Sequence, residues 1–190
     1  MGETGLIILG HQLVYQGMFI AKNLYLRQKL GQPIRGKNRE VNVAIVVFTL
    51  FIIIAIMLSF GGGDYLQIRM LPERHARLAG LILLAFNLAV SGAALLHLKD
   101  SWRVGVIEED RTELISTGIY QYTRNPYFVA YLFMFAAYTI LLRSGILLGL
   151  SVIGFWVVHR MILKEEAYLL SVHGDAYADY KKKVARYLII

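Results

Sequence analysis

Apolar runs of roughly twenty residues alternate with short polar connections along most of this chain, and that alternation predicts its elements. Residues 41–60 carry no charge and only Asn42, Thr49 and Ser59 as polar side chains, which is a membrane-crossing helix by length and composition. A second such run covers 76–98, with Asn87 and the small-residue face Ser91-Gly92-Ala93-Ala94 suited to close helix contact. Residues 126–142 and 146–163 form two more, separated only by Arg143-Ser144-Gly145, so they should be antiparallel neighbours. The first run, 5–26, holds His11, Gln12, Gln16, Lys22 and Asn23. It is polar enough to require packing against other helices, with a helix lying in the membrane interface as the competing reading.

The connections divide the chain further. Gly31, Pro33 and Gly36 break the first, basic link, and Gly61-Gly62-Gly63 ends the second run ahead of a mixed-charge loop over 64–75. The link from Lys99 to Asn125 is long for a connection without structure of its own, and such loops usually carry function. After residue 163 the last apolar run continues as an amphipathic extension through Leu170, and Gly174 stops it. Asp175 is then expected to cap a final helix over 176–187. Tyr177, Tyr180, Val184 and Tyr187 would share one face, with Lys181, Lys182, Lys183 and Arg186 around it, as in a helix at the membrane surface. The predicted fold is an all-α, polytopic transmembrane bundle of about five spans with a C-terminal amphipathic helix, in a single domain over 1–190.

Composition supports the membrane reading. Hydrophobic residues make up 57% of the 190, against about 45–50% in soluble domains, and the mean hydropathy is +0.53. The formal charge of +7 does not point to nucleic acid, because the basic residues flank apolar runs where they would meet anionic lipid. With five crossings, 16 of the 20 Lys and Arg fall on the side of the first connection, the long loop and the tail, and 4 on the other. The positive-inside rule places that basic side in the cytoplasm. No basic segment precedes the first run and no small-residue cleavage site follows, so no cleavable signal peptide is expected. Absence of cysteine excludes disulfides, thiolate catalysis and Cys-bound metal, and His97, His159 and His173 lack metal-ligand spacing.

Candidate chemistry concentrates in Thr117-Gly118-Ile119-Tyr120-Gln121-Tyr122-Thr123-Arg124-Asn125-Pro126-Tyr127. Asn125-Pro126 reads as a helix start, with Asn as cap and Pro at the first helical position. Arg124 then stands beside a helix N-terminus, which itself attracts anions. The paired helices bring Glu165-Glu166 to the same membrane face. Such a site suits a zwitterion, with Arg124 toward a carboxylate and Glu165 or Glu166 toward an ammonium. Tyr120, Tyr122, Tyr127 and Tyr131 offer π-faces to a cation or an adenine.

Four ordered segments add a resemblance: Ser101-Trp102-Arg103-Val104-Gly105-Val106; Leu114 to Tyr120; Tyr122-Thr123-Arg124-Asn125-Pro126-Tyr127; and Glu165-Glu166 followed by Gly174-Asp175-Ala176-Tyr177-Ala178-Asp179-Tyr180. Together, over roughly 95–187, they resemble the integral-membrane methyltransferase family of isoprenylcysteine carboxyl methyltransferases and phospholipid N-methyltransferases. The resemblance implies S-adenosylmethionine as methyl donor, with S-adenosylhomocysteine as product. Its contacts by position would be Arg124, Asn125, Pro126, Tyr127, Glu165 and Glu166, joined by the π-face of Tyr120 as a cofactor contact, and Arg160 and Glu166 would be catalytic. It also implies a lipid-like or prenyl-cysteine-like carboxyl acceptor, with phospholipid or other amines as the alternative. Residues 76–190 would be the catalytic part and 1–75 N-terminal spans. Asn125 stands where eukaryotic carboxyl methyltransferases have His and bacterial relatives often have Asn, which suggests a bacterial or archaeal cytoplasmic membrane. Met161 falls where the family has an arginine, with Arg160 one place away, and Val184-Ala185-Arg186 replaces Val-Pro-Arg. A transporter is the contrasting reading. It lacks paired charges within the spans and an inverted repeat, and a non-catalytic scaffold would leave the ordered motifs unexplained.

Overall fold

A computed structural model describes residues 2–36, 38–61, 66–107 and 112–188. Among them are six α-helices: α1 (Gly2–Leu30), α2 (Arg39–Gly61), α3 (Glu73–His97), α4 (Pro126–Leu142), α5 (Gly145–His173) and α6 (Asp175–Lys183). α1, α2, α3 and α5 are long and apolar enough to cross a membrane, and α4 is a shorter apolar helix of 17 residues. Successive long helices run antiparallel, so Leu30, Arg39, His97, Pro126 and the end of α5 gather at one end, called here the basic end. Ion pairs tie the bundle at both ends. Lys29–Asp100 (2.7 Å) and Lys164–Glu40 (2.8 Å) lie at the basic end, and Arg143–Glu73 (3.3 Å) at the other.

The first run is a full helix inside the bundle, and its polar residues explain why. His11 sits between α3 and α4, with Nδ1 2.8 Å from the Tyr138 hydroxyl and Nε2 2.9 Å from Asn87 Oδ1. An amide oxygen only accepts, so Nε2 carries the His11 proton and Nδ1 accepts from Tyr138. Gln12 Nε2 donates to the same hydroxyl at 2.8 Å, and Asn87 Nδ2 donates to the Ala130 carbonyl at 2.7 Å. His11, Gln12, Asn87 and Tyr138 thus satisfy one another in an apolar interior, where an unpaired polar group would be costly. Polar residues that argue against a lone lipid-facing helix thus fix the register of α1.

α4 packs most extensively on α3, and the close approach is made by Gly80. A Cβ there would lie 2.3 Å from the Leu141 side chain. The α4–α5 turn is as tight as its sequence predicts. Arg143 takes a left-handed conformation (φ 48°), and the Ser144 hydroxyl caps α5 by accepting from Leu147 N at 3.2 Å. α5 has 29 residues, about 44 Å at ~1.5 Å per residue, so its last turns extend past a ~30 Å hydrocarbon core.

Three local expectations are corrected. α6 ends at Lys183, and Val184 is extended (φ −123°, ψ 135°), so Val184 and Tyr187 do not continue its face. The tail leaves the helix because its carbonyls are taken by donors around Arg124. Gly174, not Asp175, occupies the N-cap of α6, and no side chain caps it. Asn125 does hold the N-cap of α4, but its side chain makes no capping bond and is diverted to Glu166. Of the glycines expected to end the second run, Gly62 and Gly63 lie outside the described residues.

Candidate active site at the basic end

The link between α3 and α4 is held close to the bundle by short, specific contacts. Residues 34–36 pair with Val104, through Val104 N to Ile34 O (2.8 Å) and Gly36 N to Val104 O (3.0 Å). Trp102 is buried and donates from its indole nitrogen to Asn23 of α1 at 2.8 Å. Gly118 begins a short 3₁₀ turn at φ 63°. A Cβ there would fall 1.9 Å from the His97 ring, so only glycine lets the link pass this near the end of α3.

Glu166 is the hub of the segment that follows. Arg124 donates to its Oε1 from Nη2 (2.8 Å) and Nε (3.2 Å), and Arg186 donates to its Oε2 from Nη2 (2.9 Å). Asn125 Nδ2 adds a bond to Oε1 at 3.2 Å. The Arg124 and Glu166 side chains are only 6% and 5% exposed, so the pair is desolvated and depends on its full set of partners. The tail closes over them. Arg124 N donates to the Ala185 carbonyl (2.9 Å), and Thr123 Oγ1 (3.0 Å) and Asn125 Nδ2 (3.1 Å) donate to that of Arg186. Arg124 Nη1 reaches the carbonyls of Lys181, at 3.2 Å, and Val184. The bond to Glu166 holds the Arg186 guanidinium above its usual basicity. Tyr180 donates to the Tyr120 carbonyl at 2.6 Å, fixing α6 to the link.

A cavity of about 630 Å³ lies beside this lattice. Its polar end is lined by Tyr120, Arg124, Asn125, Glu165 and Tyr180. Successive helical residues point about 100° apart, and here one glutamate turns into the lattice while its neighbour turns into the cavity. Glu165 has no hydrogen-bond or ion-pair partner among the described residues. Burial, and then the charge of Glu165, push the Tyr120 hydroxyl well above the ordinary phenol range, and burial pushes Tyr177 up to about 12. Both therefore remain neutral near pH 7. The middle of the cavity is aromatic: Trp102 and Tyr127 meet with ring centroids 4.7 Å apart, and Phe19 and Tyr131 flank them. The far arm runs between α1 and α2, past Gln16, Phe48, Thr49 and Ile52. Leu24, Ile45 and Thr49 line this arm and are also exposed on the outside of the bundle, so the slot opens laterally.

Of the residues expected at a cofactor site, Tyr120, Arg124, Asn125, Pro126, Tyr127 and Glu165 line one cavity. Glu166 stands behind it, and Arg124 meets Glu166 where a ligand carboxylate was the expectation. Arg160, expected to be catalytic, lies outside the cavity, exposed with its guanidinium 5.8 Å from the Trp156 ring centroid, while Met161 lines the wall. Tyr122 is 73% exposed and does not line the cavity. Sequence reasoning misses Thr123 and assigns Arg186 only to surface charge, although its place in Val184-Ala185-Arg186 was a signal.

A sequence profile described as phospholipid methyltransferase matches residues 76–176, from the first turn of α3 to the start of α6. The chain belongs to the phospholipid methyltransferase family. The match takes in the long link, Arg124-Asn125-Pro126 and both glutamates, and leaves α1 and α2 outside it. Two similar proteins carry the name protein-S-isoprenylcysteine O-methyltransferase. One, from Dictyostelium discoideum, is 32% identical over 108 residues, covering 55% of this chain and 46% of that protein. The other, from Schizosaccharomyces pombe, is 38% identical over 73 residues, covering 37% of this chain and 30% of that protein. The chain thus spans less than half the length of either relative.

Proposed function

We propose that this protein transfers a methyl group from S-adenosylmethionine to an amphiphilic acceptor at the cytoplasmic face of a membrane. The leading acceptor class is a carboxylate of the prenyl-cysteine type. The observation that carries this reading is one cavity that joins a polar end, built mostly from family-matched residues, to an apolar slot open between α1 and α2. One end suits a water-soluble donor and the other a lipid chain, and methyl transfer between them needs both in one enclosed space. The names of the two relatives support oxygen as the methylated atom. The excess of Lys and Arg at the basic end supports its cytoplasmic placement.

The residues at the polar end suit the donor. Among the described residues Glu165 is a carboxylate without a cation partner, facing a ligand volume. The first N–H groups of α4, at Tyr127 and Phe128 on the cavity wall, have no intrahelical acceptor and favour an anion. Tyr120 and Tyr127 supply aromatic surface for a sulfonium or an adenine. When bound, S-adenosylmethionine supplies an activated methyl group on its sulfonium. The protein's own work is then placement and exclusion of water. Glu166, saturated by Arg124, Arg186 and Asn125, fixes the helix start and the tail instead of moving a proton. Glu165 holds the ligand ammonium or, for an amine acceptor, takes its proton. The amine reading is kept because Glu165 is unpaired in the cavity.

Thermal unfolding of the detergent-solubilised protein tests the donor site. S-adenosylhomocysteine at 100 times its Kd should add about 2.7 kcal/mol of stability. No shift with millimolar ligand, for a protein that unfolds cooperatively, removes the reading. Incubating extracted lipids with methyl-labelled S-adenosylmethionine then identifies the acceptor, and the base stability of the labelled bond separates ester from amine.

A further inference from the structure

We propose that Gln16 selects the methyl acceptor: it presents its side-chain oxygen to the slot between α1 and α2 and takes a hydrogen-bond donor, a hydroxyl or an N–H, carried within the acceptor's chain. The proposal rests on reading the cavity as the methyl acceptor's site. It adds a residue that the family profile does not reach, since Gln16 precedes residue 76, and it says what the chain carries besides apolar carbon.

The orientation of Gln16 follows from one backbone carbonyl of α4. The Ala130 carbonyl can only accept, so the Asn87 amide turns its nitrogen to it, at 2.7 Å, and its oxygen to His11. His11 then carries its proton on Nε2, 2.9 Å from that oxygen, and its Nδ1 accepts from the Tyr138 hydroxyl at 2.8 Å. With its proton given to His11, the Tyr138 oxygen can only accept, and Gln12 must meet it with Nε2, at 2.8 Å. The same nitrogen lies 3.3 Å from Met134 Sδ, which occupies its second N–H. Gln12 therefore offers Oε1 to the next turn of α1, and Gln16 meets it with Nε2 at 3.3 Å. The nitrogen of Gln16 is committed to the bundle. Its oxygen has no hydrogen bond among the described residues.

Position specifies the ligand further. Gln16 is half-buried and lines the far arm of the cavity, in company with Phe19 of α1 and Phe48 and Ile52 of α2. From Arg27, at the mouth, back to Gln16 is three turns of α1, about 16 Å at ~1.5 Å per residue. That depth falls near the middle of a ~30 Å hydrocarbon core, where a chain of carbon and hydrogen alone would leave the amide oxygen unpaired, at a cost. Thr49 lines the same arm about 15 Å into α2 from Arg39, at ~1.5 Å per residue, so each wall carries a polar group at one depth. A ligand hydroxyl can donate to Gln16 and accept from Thr49 at once. The arrangement fits an amphiphile whose chain bears a proton-carrying polar group well inside the membrane.

The test uses the full chain with Trp156→Phe, which removes an exposed tryptophan and leaves Trp102, on the cavity wall, as the fluorescent reporter. The probes, in dodecyl maltoside micelles, are stearic acid, 12-hydroxystearic acid and 12-oxostearic acid. With the carboxyl at the membrane surface, the hydroxyl of the second lies at the depth of Gln16, and the third has the oxygen without the proton. All three should change Trp102 emission saturably, the alcohol binding about fivefold more tightly than stearic acid, the usual worth of a neutral hydrogen bond, and more tightly than the ketone. Gln16→Leu and Gln16→Met should each remove the preference and keep the thermal shift with S-adenosylhomocysteine, which also shows that they fold. Tyr138→Phe takes away the oxygen that fixes Gln12, and should narrow the gap between alcohol and ketone, which lost stability alone would not do. No saturable binding, equal binding of stearic acid and the alcohol, or an undiminished preference in both Gln16 variants overturns the proposal. A ketone that binds as tightly as the alcohol, or an unchanged gap in Tyr138→Phe, overturns the orientation assigned to the amide. A Gln16-dependent preference without any S-adenosylhomocysteine shift in the parent protein would remove the methyltransferase reading and leave the role of Gln16 standing.

Discussion

At the polar end of the cavity Glu166 gathers two arginines and an asparagine, and three backbone carbonyls of the tail take donors from Thr123, Arg124 and Asn125. In the slot between α1 and α2 the cavity is walled by Phe48, Thr49 and Ile52 on one side and Gln16, Phe19 and Leu24 on the other. The polar end is cross-linked by directional bonds between segments distant in sequence, and the slot is shaped mainly by apolar side chains of α1 and α2. A ligand whose charges must be matched needs the first kind of wall. A chain that must slide in from a bilayer needs the second, because apolar contact has no preferred direction. The contrast also divides the chain: the cross-linked end lies largely within the family-matched residues, and α1 and α2 lie outside them.

The contrast can be broken most severely at Glu166. Glu166→Ala leaves Arg124 buried without its partner. It should cost about 3–5 kcal/mol of stability in thermal or SDS unfolding and abolish the S-adenosylhomocysteine shift. A loss below about 1 kcal/mol would mean that the lattice does not hold this end together. Glu165→Gln separates support from chemistry one residue away. Stability should change by less than about 1 kcal/mol, because Glu165 has no hydrogen-bond or ion-pair partner among the described residues, while methyl transfer falls about 100-fold. Activity within threefold of the parent would take Glu165 out of the site.

At the slot, Thr49→Trp places a large ring on an exposed position of the α2 wall. The KM for a lipid acceptor should rise about tenfold with the S-adenosylhomocysteine shift unchanged, and an unaltered KM would show that the chain lies elsewhere. The smallest effect is expected at Arg160, which stacks on Trp156 outside the cavity. Arg160→Ala should alter kcat/KM by less than about twofold, and a large loss would return to it the catalytic role its place in the sequence suggests.

The helical class, the membrane-length runs and the α4–α5 hairpin were legible in the chain because each depends on local pattern: unbroken apolar length, proline at a helix start, a three-residue turn. The site was legible as a set, since Arg124-Asn125-Pro126 and Glu165-Glu166 are brought to one end by that hairpin alone. The division of labour between the glutamates was not legible. They are identical neighbours on one helix, and only the positions of Arg124, Asn125 and Arg186 around α5 make one a buried hub and leave the other facing the cavity. The same holds for the tail, which local pattern extends as helix to Tyr187. Carbonyls of Val184, Ala185 and Arg186 instead meet donors some sixty residues earlier in the chain. His11, Gln12 and Asn87 likewise have no meaning until α1, α3 and α4 pack. Which segments are helices and which end is polar can be read along the chain, because backbone hydrogen bonding and apolar burial act over a few residues. Which polar groups bind each other and which remain for a ligand is settled by packing, because their partners come from segments distant in the chain.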